Sequence, residues 1–149
     1  MGIINIIKSV KFVHPSCVVM VKIGNFYHIY GKDAYIFSYL LNYKINLKED
    51  IPHCGFPINS ISKVENVLEK NKINYVLLDR RNNYDEEAKY INKQENKYEK
   101  IFERAKKSVN TVMKIQKINQ FLIENKKSKN IDDLLEKIEK VIGNERGKI

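Results

Sequence analysis

The side chains of this 149-residue chain best suited to chemistry are aromatic, imidazole and cationic. Phe26, Tyr27 and His28 follow directly on the turn signal Gly24-Asn25, so the phenyl ring of Phe26 is expected at a turn or strand end. An apolar ring so placed can stack on a nucleobase face, a contact worth ~1–3 kcal/mol. Wedging it into a duplex costs unstacking energy, which a bent duplex recovers through added backbone contacts. His28 can donate to or accept from a base edge. Asn25, Lys22 and Lys32 complete a candidate nucleic-acid-binding set around this stretch. The competing readings are structural: Phe26 as a strand-end core residue, and His28 as an ordinary surface histidine. Tyr27 alternates with Phe26 and reads as core.

Charge supplies the second signal. The 27 Lys and Arg against 18 Asp and Glu give a net charge of +9 and a pI of about 9.4. Such a balance favours a polyanion, nucleic acid or an anionic membrane surface, although a coding bias towards Lys, Ile and Asn would produce part of it without function. Residues 1–84 carry net +5 and residues 85–149 net +4, but between Arg104 and Lys129 eight basic residues face one acid, Glu124. Helical spacing brings Arg104, Lys107, Lys114 and Lys117 near one stripe, able to lie along a phosphate backbone. A solvated helix face is the alternative. A membrane-surface helix fits less well, because packing explains the apolar residues of the same segment.

No catalytic set is expected. His53 and Cys54 are neighbours on a strand and point to opposite faces, which spoils a nucleophile pair. Asp33, Glu49, Asp50 and Asp79 lack metal-ligand spacing, and no metal or cofactor is assigned. Cys17 and Cys54 are too few and too far apart for a CxxC site and read as small buried apolar residues. Apolar runs such as 17–21 fall short of the ~18 residues of a membrane span. The cluster Ile3, Ile4, Ile6, Ile7 lacks the flanks of a signal peptide, so a cytoplasmic location is expected.

The elements that must position these residues divide at the polar turn Arg80-Arg81-Asn82-Asn83 into an α/β domain, 1–84, and a helical extension, 85–149. Ile3, Ile7 and Val10 predict a short helix ended by the pre-proline His14. Residues 17–23 read as a buried strand, and 26–30 as the second arm of a hairpin. Gly31-Lys32-Asp33 offers a turn and N-cap for a helix carrying Ala34, Phe37, Leu40 and Leu41. A strand at 51–56, a helix capped by Ser60 or Ser62, and a strand at 75–78 follow, giving a mixed sheet flanked by helices. In the extension, apolar residues from Tyr98 to Leu122 predict one long helix over about 86–125. A second helix, about 131–142, is capped by Asn130 and ended by Gly143, and the two make a C-terminal helical hairpin.

The stretch His14-Pro15 through Arg80 resembles the N-terminal mismatch-binding domain of the MutS family of mismatch-repair proteins. Residues 24–34, GNFYHIYGKDA, are similar to that family's GDFYE(L/M)F-x-x-DA block, and residues 51–57, IPHCGFP, to its P-x-x-G-(I/V/F)-P block. The intervening helix and the strand Val76-Leu77-Leu78 stand in register with both. The resemblance implies that Phe26 matches a wedge that enters beside a mispaired base from the minor groove. His28 stands where the family has a base-bonding Glu, and Asn25 where it has Asp. A carboxylate near phosphates selects for a base partner, and a His lacks that selection, so the change puts strict mismatch discrimination in question while leaving stacking on a distorted or unpaired base. The chain has no G-x-x-x-x-G-K-[ST], so the family's ATPase parts are absent from it, and the resemblance does not extend to the helical hairpin.

The expected function is a non-catalytic nucleic-acid-binding accessory module for mispaired, distorted or single-stranded DNA or an RNA–DNA hybrid. Stand-alone MutS-like domains of this kind accompany reverse transcriptases in diversity-generating retroelements, which implies a polymerase partner. The alternative is a protein-interaction adaptor that keeps the fold as a scaffold and uses the C-terminal helices for docking or homo-oligomerisation.

Overall fold

Ile3, Ile7 and Val10 lie on one side of a helical period, and the chain coils accordingly into α1 (Ile3–Val13), which stops at His14 ahead of Pro15. The computed structural model describes residues 2–48 and 50–148. Glu49, one of the acids that lack metal-ligand spacing, lies outside the described residues. The β-branched run gives β1 (Val18–Ile23), followed by β2 (Phe26–Tyr30), α2 (Lys32–Leu41), β3 (Asn46–Lys48), β4 (Ile51–Pro57), α3 (Ile61–Lys70), β5 (Tyr75–Asp79) and β6 (Asp85–Tyr90). Two helices complete the chain, α4 (Tyr98–Glu124) and α5 (Ile131–Glu145). The strands form one sheet in the order β3-β4-β2-β1-β5-β6, in which β1 and β5 run parallel and the other neighbours antiparallel. The expected mixed α/β sheet is therefore present.

Both sheet faces carry apolar cover. On one, Ile7 of α1 and Cys17 pack with Val19, Val21, Val76 and Leu78, with Tyr30 and Ile23 at the margin. On the other, Phe56 of β4 stacks with Tyr27, with Phe37 of α2 and with Tyr43. Tyr75 reaches α3, its hydroxyl lying 3.1 and 3.0 Å from carboxylate oxygens of Glu65 and Glu69, which share its one proton. Cys17 and Cys54 are free and buried, as expected from the sequence; burial pushes the Cys54 thiol up to about 12, so it stays protonated and inert.

At Gly31-Lys32-Asp33 the turn and N-cap are present as expected, with Gly31, at φ +67°, in the N-cap position, while Asp33 sits buried in the first helical turn. Its carboxylate accepts from the Val19 backbone N–H at 3.0 Å, from Lys11 Nζ at 2.5 Å and from Tyr98 Oη at 2.6 Å, fastening β1, α1 and the start of α4 together. Several local expectations need correction. The long helix does not begin near residue 86. Residues 85–90 pair with β5 as an edge strand after the left-handed turn residues Asn83 and Tyr84, and α4 starts only at Tyr98. Glu, Ala and Lys favour a helix in isolation, but the open edge of the buried β5 offers them a backbone ladder, and tertiary context wins. The short strand β3 is an addition to the expected elements. Gly143 lies within α5 rather than past its end. Ser60 and Asn130 take N-cap positions without side-chain capping bonds.

The chain forms two compact units, Met1–Val109 and Asn110–Ile149, so the division expected after residue 84 falls instead within α4. In the first unit Tyr98, Ile101, Phe102, Ala105 and Val109 of α4 are buried. The second holds the remainder of α4, the connection 125–130 and α5. Among the described residues, no helix is long and apolar enough to cross a membrane.

Candidate nucleic-acid interface

The hairpin tip is a two-residue loop. Ile23 pairs with Phe26 across it, and Gly24 takes φ +61° while Asn25 does not enter the left-handed region, the pattern of a type II′ turn. A side chain at residue 24 would be strained at that φ, which gives Gly24 its function. The tip is also pinned from outside: the Ile58 N–H donates to the Asn25 carbonyl at 3.0 Å, and Phe26 pairs in register with Pro57 of β4. On this fixed corner Phe26 is 49 % exposed, the arrangement of a presented ring rather than of a core residue. Tyr27 points to the opposite face and is buried, as expected.

His28 lies one alternation along from Phe26, on the same face and roughly 7 Å away by strand geometry. It does not stand alone. Its Nδ1 lies 2.8 Å from Nε2 of His53, which the β2–β4 register places beside it, and Tyr30 packs at 4.9 Å from the His53 ring. Burial, reinforced by the Lys48 ammonium, lowers the basicity of His28, and the same causes together with His28 hold His53 down to about 4. Both rings are therefore neutral near pH 7. One must donate and the other accept, so the tautomer of His28, and with it the role left to its Nε2, is fixed by His53.

The remaining sequence candidates divide. Lys22 pairs with Tyr27 and alternates with Val21 and Ile23, so it lies on the face opposite Phe26 and His28. Lys32 lies beyond the far end of β2, over the Phe102 ring at 4.4 Å and 3.6 Å from a Glu99 carboxylate oxygen. Neither joins the Phe26 corner, because nearness in sequence exchanges faces at every residue and ends at every strand. Asn25 contributes its carbonyl to the tip itself. Arg104 and Lys107 are exposed on the part of α4 in the first unit; Lys114 and Lys117 are exposed in the second.

Sequence reading misses three residues. His53 draws attention there only as the neighbour of Cys54. Arg80 and Arg81 read only as a polar turn, yet the parallel pairing of Lys22 with Asp79 brings the end of β5 to the same sheet edge as the hairpin tip. Two strand spacings, about 10 Å, separate β2 from β5 there. Asp79 holds this turn by accepting from the Arg81 N–H at 2.9 Å, and Arg81 is 78 % exposed. A double arginine directly after a buried strand is the signal that could have found them.

The mixed sheet thus presents an aromatic ring on a pinned hairpin, with an imidazole pair on the same face and two arginines at the same end of the sheet. The family model of MutS domain I matches residues 2–131, and the chain belongs to that family. Similar curated proteins include the "DNA mismatch repair protein MutS" of Rickettsia canadensis, 34 % identical over 67 residues that make up 42 % of this chain and 7 % of that one. Its namesake from Orientia tsutsugamushi strain Ikeda is 31 % identical over 58 residues, 36 % of this chain and 6 % of that protein. The chain thus aligns with less than a tenth of the length of these relatives.

Proposed function

We propose that the chain binds nucleic acid through the hairpin corner and recognises mispaired, distorted or single-stranded DNA or an RNA–DNA hybrid, without catalysing a reaction on it. The observation that carries this reading is the half-exposed Phe26 on a pinned turn, at the position where the family resemblance puts a base-stacking wedge. In this reading Phe26 stacks on the exposed face of an unpaired or weakly stacked base. His28 Nε2 meets the base edge as a neutral donor or acceptor. Arg80 and Arg81 hold backbone phosphates about three nucleotide steps away, since phosphates along one strand repeat at ~3.4 Å of axis. Arg104 and Lys107, exposed on α4 past the Phe102 ring that Lys32 covers, offer the same nucleic acid a separate cationic patch. The relatives' name, mismatch repair, agrees with a partner of this kind.

The test is a competition assay across homoduplex, mismatched, gapped, single-stranded and hybrid substrates at two salt concentrations. Preference for any substrate with an unpaired base, abolished in Phe26→Ala, supports the reading. Equal affinity for all five, unaffected by that substitution, refutes it. The polymerase partner implied by the resemblance, such as the reverse transcriptase of a diversity-generating retroelement, forms part of the same proposal and is tested by co-purification with the tagged chain from its native cells.

A further inference from the structure

The second unit carries an apolar surface that its own two helices do not consume. On α4, Val112, Ile115 and Ile118 are 44, 61 and 60 % exposed, and on α5, Leu134, Leu135 and Ile142 are 36, 37 and 48 % exposed. Val112, Ile115 and Ile118 recur at threes, and Ile142 follows Leu135 and Leu134 at seven and eight, so that a stripe runs along each helix. Within α5, burial is confined to Ile131. Large apolar patches of this kind on a helical pair mark an interface.

The charges beside the stripes say what covers them. From Asn110 to Asn130 the chain has five lysines, Lys114, Lys117, Lys126, Lys127 and Lys129, against Glu124 alone. From Ile131 to Glu145 it has five acids against Lys137 and Lys140, and Asp132, Glu136 and Glu139 share one ridge by their spacing of four and three. Among the described residues of this unit the ion pairing is confined to Lys148 with Glu145, at 3.3 Å; Lys114, Lys117, Asp132, Glu136 and Glu139 have none. One surface thus carries a basic helix and an acidic helix, each with its complement unused. Under a twofold axis such a surface matches itself, because whatever α4 presents to α5 of a second copy is returned in kind.

We propose that a second copy of this chain covers the stripe, α4 of each copy lying against α5 of the other in a four-helix arrangement, with Lys114, at the margin of the α4 stripe, facing Asp132 and Glu139 at the margin of the α5 stripe. This does not rest on the nucleic-acid reading, and it assigns Lys114 to a protein partner instead of phosphate.

Light scattering of the full chain over a concentration series is the test. The expected mass is twice 17.6 kDa. Ile118→Asp with Leu135→Asp weakens association by at least ~100-fold, since each removes a large apolar side chain from the interface twice per dimer, while the circular dichroism spectrum is retained. Charge exchange provides the second arm. A Lys114→Glu chain and an Asp132→Lys/Glu139→Lys chain are each monomeric alone, having like charges at both crossings, and pair with each other when mixed. A wild-type chain that stays monomeric at every concentration overturns the proposal. So does a wild-type dimer insensitive to both sets of substitutions, or a mixture that fails to pair.

Discussion

Replacing Phe26 by alanine separates stacking from folding, because the ring is half in solvent and sits at a corner held by backbone bonds. Gly24 and the Ile58-to-Asn25 hydrogen bond shape the turn without it, and β2 keeps its register through Tyr27 and Ile29, both buried. An exposed strand-end truncation of this kind changes stability by roughly 0.5 kcal/mol or less. Loss of one base–aromatic stack removes ~1–3 kcal/mol of binding, between about 5-fold and 150-fold in dissociation constant. Fluorescence anisotropy on a labelled duplex with one unpaired base, against its homoduplex, reads the effect directly. The loss is expected on the first substrate and nearly absent on the second, and Phe26→Tyr restores most of it. The salt slope is the internal control: a stacking ring neutralises no phosphate, so the log–log slope is unchanged. A flatter slope, or an equal loss on both duplexes, refutes the stacking role even if affinity falls.

Arg80→Gln with Arg81→Gln has the opposite signature, weakening all substrates alike and reducing the salt slope by about 0.9 for each phosphate left without its arginine, measured by the same titration between two salt concentrations. His53 has a folded-state pKa of about 4 against an ordinary 6.5, so the unfolded chain takes up a proton first as pH falls. Stability conferred by the neutral ring is complete above pH 6.5 and is lost progressively towards pH 4, by about 1–2 kcal/mol once solvent screening is allowed for; urea unfolding along this pH series reads it, and His53→Gln removes that part of the dependence. Asp33→Ala leaves the Lys11 ammonium, the Tyr98 hydroxyl and the Val19 N–H without their shared acceptor and is expected to cost about 3–5 kcal/mol in the same measurement.

The hairpin, the helix starts and the core strands are legible in the sequence because local signals agree with the final fold there. A β-branched run, a Gly-Asn turn and a pre-proline stop each admit few alternatives. β6 is not legible, since Asp85, Glu86, Glu87, Ala88 and Lys89 carry a helical preference that only the exposed edge of β5 overrules. Three residues are too few for periodicity to mark β3. The candidate site divides in the same way. Alternation alone assigns Phe26 and Tyr27 opposite roles, whereas Lys22 and Lys32 enter by nearness along the chain and lie on another face and at another strand end. The residues that do gather near Phe26 come from far away. His53 arrives through the β2–β4 register and Arg80 through the parallel β1–β5 pair, and long-range pairing leaves no trace in a short window of sequence.

The same register gives the change at residue 28 its chemical meaning. A carboxylate there would only accept, and would repel nearby phosphates. A lone imidazole would be ambiguous, taking either role and charging as pH falls. Paired with His53 and partly withdrawn from water, His28 is neither: its charge is suppressed near neutrality, and its outer nitrogen takes whichever role its inner nitrogen leaves. Where His53 donates inward, His28 offers an N–H to acceptors such as adenine N3 and thymine O2, which line the minor groove irrespective of base-pair orientation. Recognition by such a group follows the exposure of a base edge more than its identity. That suits a corner whose other contacts, a stacking ring and two arginines, are also indifferent to sequence and sensitive to shape.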